Sequence, residues 1–212
     1  SFILLQTSLP SFCPTGIAAA YFLARGGVDT TIFEREEKLG GVPRYVIPAF
    51  RIPDESIDKD ISIMERLGVT VKCGAPAPSV EELKKQGYTH ILMATGAWQA
   101  GKLDIPGNVK GVIGWMKEMK QQVKPCLEGH VVVVGAGNTA MDAARVAKRM
   151  GAHATILYRR TKKFMPADEH ELQLAIDEGV EFVELAAPVK QSRGKLLCDK
   201  MILGEPDESG RR

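Results

Sequence analysis

A chain of 212 residues with 44% hydrophobic side chains can bury a substantial core, as one large domain or two smaller ones. Its 28 Lys and Arg against 26 Asp and Glu leave a net charge of +2. With no long basic run, the chain lacks the electrostatic footprint of a protein that binds nucleic acid or a membrane surface. Cys13, Cys73, Cys126 and Cys198 are scattered, so inert core thiols are expected rather than a metal cluster or a redox disulfide. No apolar run is long enough to span a bilayer and the N-terminal segment lacks a basic start, so the expectation is a cytoplasmic protein.

The elements follow in order. An alanine-rich helix is predicted over residues 15–25, stopped by Gly26 and Gly27, and a strand over 30–33 ending in Glu34. Residues 34–53 read as a glycine and proline loop, in which Gly40 and Gly41 allow close backbone approach to a ligand. Ile57, Ile61 and Met64 recur at helical spacing over 54–67, and Gly68 precedes a short strand at 69–72. Ser79 with Glu82 forms a capping box for a helix that Gly87 closes. A strand at 89–93 then runs into the small residues Ala94, Thr95 and Gly96. Residues 97–107 read as loop and 112–123 as a connecting helix.

Four valines at 131–134 make the short, wholly apolar run of a strand buried on both faces. The sequence Gly135-Ala136-Gly137-Asn138-Thr139-Ala140 follows in GxGxxA spacing and opens a helix. The first glycine permits the tight turn, the second lets a pyrophosphate approach the backbone, and the small last residue allows close helix-to-strand packing. Helix amides and the positive end of the dipole then face the anion, and Asn138 is able to add a side-chain bond. Ala140, Ala143, Ala144 and Ala147 share one small-residue face, and Gly151 is placed to stop the helix.

The next strand ends in Tyr158, Arg159 and Arg160. An unphosphorylated ribose calls for a carboxylate there and a 2′-phosphate for a cation, so the two arginines predict NADPH. The loop TKKFMPA follows, then a helix over 168–178, short strands near 180–183 and 195–203, and a polar, turn-like end over 204–212 with no strand returning to close either sheet.

Displacing the chain by 124 positions lays Thr139, Ala144, Gly151, Thr155, Ile156 and Arg159 over Thr15, Ala20, Gly27, Thr31, Ile32 and Arg35 without a gap. The chain therefore carries a second strand-turn-helix-strand unit, whose acidic strand end, Glu34, suits a ribose without 2′-phosphate, as in FAD. The expected fold is α/β, with two Rossmann-like dinucleotide-binding units: an FAD-type half-domain over 1–105, a linker with its helix over 106–128, and an NADPH-type domain over 129–212, both truncated. The same displacement lays Gly135 and Gly137 over Ser11 and Cys13, and the valine strand over Thr7, Ser8, Leu9 and Pro10, leaving Gly16 from the fingerprint. A proline at the end of a central strand removes a ladder donor. Residues 1–13 are accordingly read as aberrant, the mark of a frame error or a damaged gene.

The strings EREEKLGGVPRYVIPAFRIP, ILMATGA, VVVVGAGNTAMDAARVA and YRRTKKFMPA together resemble the glutamate synthase small-subunit family of FAD- and NADPH-dependent oxidoreductases. The ending MILGEPDESGRR is most similar to the selenate reductase flavoprotein subunits within it. The resemblance covers residues 14–212. It implies that Gly16 and Glu34 contact FAD pyrophosphate and ribose, that Gly40, Gly41, Val42 and Arg51 form the flavin-side loop, and that Ala94, Thr95 and Gly96 form the strand-end flavin motif. It places NADPH on Gly135 to Ala140 with Arg159 and Arg160, and an iron–sulfur protein or domain as electron acceptor. No protein acid or base is required, because the isoalloxazine does the chemistry. His90, His130, His153 and His170 are expected to lie apart, in structural or solvated roles. The family's cysteine-rich domain and returning FAD segment are missing, so the chain is read as a fragment. The alternative is a non-catalytic NADPH-binding fragment or interaction module without flavin.

Overall fold

The computed structural model describes residues 2–5, 14–98, 101, 103–122 and 126–205, the first of these runs as backbone only. Contacts divide the chain into two compact units, Ser1–Gln99 and Ala100–Arg212.

The first unit is built on a parallel sheet of order β3-β2-β1-β4, comprising β1 (Phe2–Leu5), β2 (Thr30–Phe33), β3 (Thr70–Lys72) and β4 (His90–Met93). Every side chain of β2 is buried. Successive strand residues face opposite sides, so both faces of the sheet must be covered. Ile32 joins Ala20 of helix α1 (Pro14–Arg25) and Met64 of helix α3 (Asp54–Arg66) in one apolar cluster. Phe33 joins Leu83 of helix α4 (Val80–Lys85) in another. The capping box of α4 forms as expected: Ser79 Oγ accepts the Glu82 amide and the Glu82 carboxylate accepts the Ser79 amide.

Two expectations fail in this unit. The central strand is Phe2–Leu5, paired with both β2 and β4, and not residues 7–10. A gapless displacement had to misplace it, because residues 6–13 separate β1 from α1, whereas only 135–137 separate the corresponding strand and helix in the second unit. Residues 6–13, with Ser11 and Cys13, lie outside the described residues. The loop after Glu34 also contains a short helix, α2 (Gly41–Tyr45), which tertiary contacts hold. Buried Arg44 donates Nε to Leu39 O and Nη2 to Asp58 Oδ1, and lies 3.6 Å from Asp54. The first turn of α3 is thereby tied to the loop.

The second unit carries a parallel sheet of order β5-β6-β7, comprising β5 (His130–Val134), β6 (His153–Leu157) and β7 (Glu181–Val183). Helix α6 (Asn138–Arg149) connects β5 to β6, and helix α7 (Glu169–Asp177) precedes β7. Ala143, Ala144 and Ala147 are almost completely buried, as the small-residue face requires. Gly151, at φ +99°, ends α6 in the left-handed conformation open to glycine. Helix α5 (Val112–Gln121), expected in a linker of its own, contributes Trp115 to this unit's core. The hairpin of β8 (Ala186–Ser192) and β9 (Lys195–Lys200) turns through Arg193 and Gly194, both at positive φ, the geometry of a tight two-residue turn. Of this hairpin only β9 was legible as a strand. Among the described residues no helix is long and apolar enough to cross a membrane.

Candidate functional site

In the second unit the strand β5 delivers the chain into Gly135 at φ +119°, a conformation that only glycine adopts without strain. The Gly135 amide donates to Leu157 O at 2.9 Å, which pins the turn beside the end of β6. Gly137, the N-cap of α6, sits at φ −90°, open to any residue. A Cβ there would meet only Pro166 Cγ, at 3.9 Å. No protein neighbour demands a glycine at 137, and what its missing side chain leaves is room at the start of the helix.

Because a glycine cap brings no side chain, nothing of that kind satisfies the first amides of α6. Helix α7 differs: Asp168 caps it, accepting the His170 amide at 2.8 Å. Ala136 and Ala140 are buried under the turn, and Asn138 and Thr139 are exposed. The Asn138 side-chain oxygen accepts the Asp168 amide at 3.2 Å, and the Ala167 amide donates to Ala136 O at 3.0 Å. Residues 166–168 are thus strapped across the turn.

Arg159 and Arg160 leave β6 at the same end of the sheet, Arg159 exposed and Arg160 half-buried. Neither has an ion-pair partner among the described residues. Their strand end is braced by the Tyr158 hydroxyl, which donates to Phe164 O at 2.7 Å, and by the Leu185 amide, which donates to Arg160 O. The site therefore assembles an open helix start, a small-residue turn and two uncommitted guanidinium groups.

In the first unit Gly16 is buried in α1. Glu34, at the end of β2, is fully buried, and one carboxylate oxygen accepts the Glu36 amide at 2.9 Å. Gly40 at φ +129° is required by the protein itself, since a Cβ would stand 2.8 Å from Arg44 Cβ and 3.1 Å from Ile57. Gly41 has φ +58°, Val42 and Arg51 are half-buried, and Val42 O accepts the Val46 and Ile47 amides. Ala94 is buried beyond β4, with Thr95 half-buried and Gly96 exposed at φ +71°. A pocket of about 280 Å³ opens between residues 37–39, α3 and β3; Arg44, Ile61, Glu65 and Cys73 contribute to its lining.

The profile of the pyridine nucleotide-disulphide oxidoreductase family matches residues 13–206. The chain belongs to this family. With YgfK of Escherichia coli K12 it shares 44% identity over 206 residues, covering 94% of this chain and 20% of that protein. With the small chain of NADPH glutamate synthase from the same organism it shares 32% identity over 224 residues, covering 94% of this chain and 47% of that one. The NADPH complex of FprA from Mycobacterium tuberculosis superimposes with a TM-score of 0.77 at 16% identity, covering 99% of this chain and 66% of that one, a likeness of fold. The chain spans between a fifth and about half of the curated relatives it matches.

Other expectations are corrected. His130 and His153 do not lie apart: their rings meet edge to face at 4.4 Å, at the β-strand ends remote from the glycine turn. His153 pairs with Glu181 at 3.1 Å, and Thr155 bridges His130 and Glu181. Cys126 is exposed and not a core thiol, whereas burial, reinforced by the Glu34 and Glu65 charges, pushes the Cys73 thiol up. Among the described residues no group of three or more His, Cys, Asp or Glu could hold a metal ion. Sequence reasoning missed Arg44 and the 166–168 strap, because both act through partners distant in the sequence.

Proposed function

We propose that this chain is part of an NADPH-dependent flavoprotein oxidoreductase and supplies its NADPH site from the second unit. The observation that carries the reading is the space beside Gly137, which lies at an uncapped helix start at the same end of the sheet as two arginines that have no ion-pair partner among the described residues. The first amides of α6 and its dipole favour a pyrophosphate, Gly135 and Gly137 let it approach, and Ala140 keeps the helix close to the strand. Arg159 and Arg160 fit a 2′-phosphate, which a planar guanidinium clasps through paired charge-assisted bonds.

The first unit is read as the FAD half, with Gly16, Glu34, Gly40, Gly41, Val42, Arg51, Ala94, Thr95 and Gly96 on the cofactor side. When both are bound, the cofactors supply hydride transfer from nicotinamide to flavin and electron release to an iron–sulfur partner. The chain's own residues bind and orient, and none is assigned as an acid or base. The sequence from Gln6 to Cys13, Ser11 included, holds no glycine at all, which favours weak flavin retention by this chain. A flavin-free NADPH-binding fragment is therefore the second reading.

Calorimetric titration with NADPH and NADH tests the shared part of both. Charge-assisted bonds of roughly 1.5 to 3 kcal/mol each, less the cost of ordering the side chains, give NADPH an advantage of at least about tenfold. Changing Arg159 and Arg160 together to Ala is expected to remove most of that advantage and leave NADH binding nearly unchanged. Equal affinities in the parent chain would overturn the reading. Mixing with excess FAD, gel filtration and an absorbance scan separates the two readings: stoichiometric flavin in the protein peak excludes the flavin-free one.

A further inference from the structure

The strap over the glycine turn is held by two hydrogen bonds and passes close to the turn at a third point. The Ala167 amide donates to Ala136 O at 3.0 Å, the Asp168 amide donates to Asn138 Oδ1 at 3.2 Å, and Pro166 Cγ comes to 3.9 Å from where a Cβ on Gly137 would stand. The other end of the same segment begins at Arg159 and Arg160, and the Tyr158 hydroxyl holds its middle through Phe164 O. Asp168 also caps α7. Through its side-chain oxygen, Asn138 therefore joins the first turn of α6 to the start of α7 and fastens the far end of the segment that the two arginines open.

From this juxtaposition we propose that Asn138 is a positioning residue for nucleotide selection, one that acts by holding the 161–168 segment and not by bonding the pyrophosphate. The inference rests on the NADPH reading above. A direct pyrophosphate contact is common to NADPH and NADH, so its loss weakens both alike. Loss of the strap frees the segment that follows Arg159 and Arg160, and the cost then falls more heavily on the nucleotide bearing the 2′-phosphate. The side-chain oxygen accepts the Asp168 amide in the ligand-free chain, so the link between the two helix starts is made before any nucleotide arrives, as a strut requires.

Amide hydrogen exchange on the ligand-free 212-residue chain reads the strap without any nucleotide. Asn138→Ala is expected to speed exchange at the Asp168 amide by about tenfold, the scale of one lost hydrogen bond. In titrations the same variant is expected to lower the NADPH-to-NADH affinity ratio by about threefold or more, a fraction of one charge-assisted bond. Asn138→Asp keeps an acceptor for Asp168, so exchange there and the affinity ratio stay close to the parent's. Both nucleotides weaken together, because a carboxylate now stands beside the anion site. The proposal is overturned if Asn138→Ala leaves Asp168 exchange unchanged, or if it weakens NADPH and NADH by one common factor. Should the parent bind neither nucleotide, the NADPH reading and the assignment of selection to Asn138 fall together; the exchange comparison still shows whether the strap exists.

Discussion

Arg145 and Glu178 meet across the seam between α6 and α7, with Nη2 2.6 Å and Nε 3.0 Å from the same carboxylate oxygen. Arg149, one helical turn further along, donates to both oxygens of that carboxylate at 2.7 and 2.9 Å, and Glu171 lies 3.9 Å from Arg145. Arg145 is buried, so the cluster brings charge into a partly desolvated seam. The Arg149 hydrogen bond outweighs desolvation and, with Arg145, pulls the Glu178 carboxyl from the ordinary 4.5 down to about 2. A carboxyl with a depressed folded pKa stabilises the fold above its unfolded pKa and loses that contribution as pH falls through the folded value. The second unit is therefore expected to lose stability between about pH 4.5 and about pH 2. Glu178→Gln should flatten that limb in an acid denaturation series monitored by circular dichroism. An unchanged acid limb would mean that Glu178 does not carry it.

Arg44 does comparable work in the first unit. It is buried and joins Leu39 O, Asp54 and Asp58, so one side chain ties the glycine loop to α3. Arg44→Ala leaves a void and an unmet carbonyl, with an expected loss of about 2 to 4 kcal/mol in urea unfolding. Arg44→Lys should recover little, because an ammonium on a flexible stem cannot face three acceptors set around a planar fork. Full recovery by lysine would show that charge alone matters there.

Much of this was readable in the sequence, and the misses share a cause. Ser79 and Glu82 announce their helix because both partners of the box are local. Gly151 announces the end of α6 for the same reason, since the conformation it supplies is its own. Helix α2 escaped because its five residues include a proline and depend on Arg44, whose partners lie outside it. Strand β8 escaped because Pro188 interrupts its pattern and a register shift follows. The strand at Phe2–Leu5 was misplaced because a repeat read without gaps cannot lengthen a turn. Gly135, Gly137, Arg159 and Arg160 could be named in advance, whereas the strap joining their surroundings is a bond between residues thirty positions apart.

Gly107 shows how a glycine can be tied to packing and not to a ligand. At φ +128°, a Cβ on it would stand 2.7 Å from Gln191 Cβ, from the Gln191 carbonyl oxygen and from its Oε1. Gln191 also accepts the Asn108 amide at 3.0 Å and donates its own amide to Pro106 O at 2.8 Å, which seats residues 106–108 on β8. The carbonyl in that contact is backbone and cannot swing aside. Gly107→Ala is expected to cost about 2 kcal/mol or more, read as a shift in the urea midpoint. Gly111→Ala, at φ −69° with nothing within 4 Å, is the matched control and should shift it little. Equal effects at the two positions would remove the packing argument.

The nucleotide turn predicts the opposite pattern, in which one glycine matters to the fold and its neighbour to the ligand. Gly135→Ala places a side chain at φ +119°, a strained conformation whatever the free space, so a loss of about 1 to 3 kcal/mol in stability is expected. Gly137→Ala keeps an ordinary φ and meets only Pro166 Cγ at 3.9 Å, so its thermal midpoint should stay within a few degrees of the parent's. The methyl group nevertheless occupies the space in front of the first amides of α6, where a pyrophosphate would sit. Nucleotide affinity is then expected to fall by about a hundredfold, equivalent to losing two or three good hydrogen bonds to the anion. NADPH and NADH should fall together, because the pyrophosphate is common to both, in contrast to the arginine variants, which separate them. Differential scanning fluorimetry and calorimetric titration on the same Gly137→Ala preparation give both readouts. A variant that keeps both its melting temperature and its affinity for NADPH would place the nucleotide somewhere other than this turn.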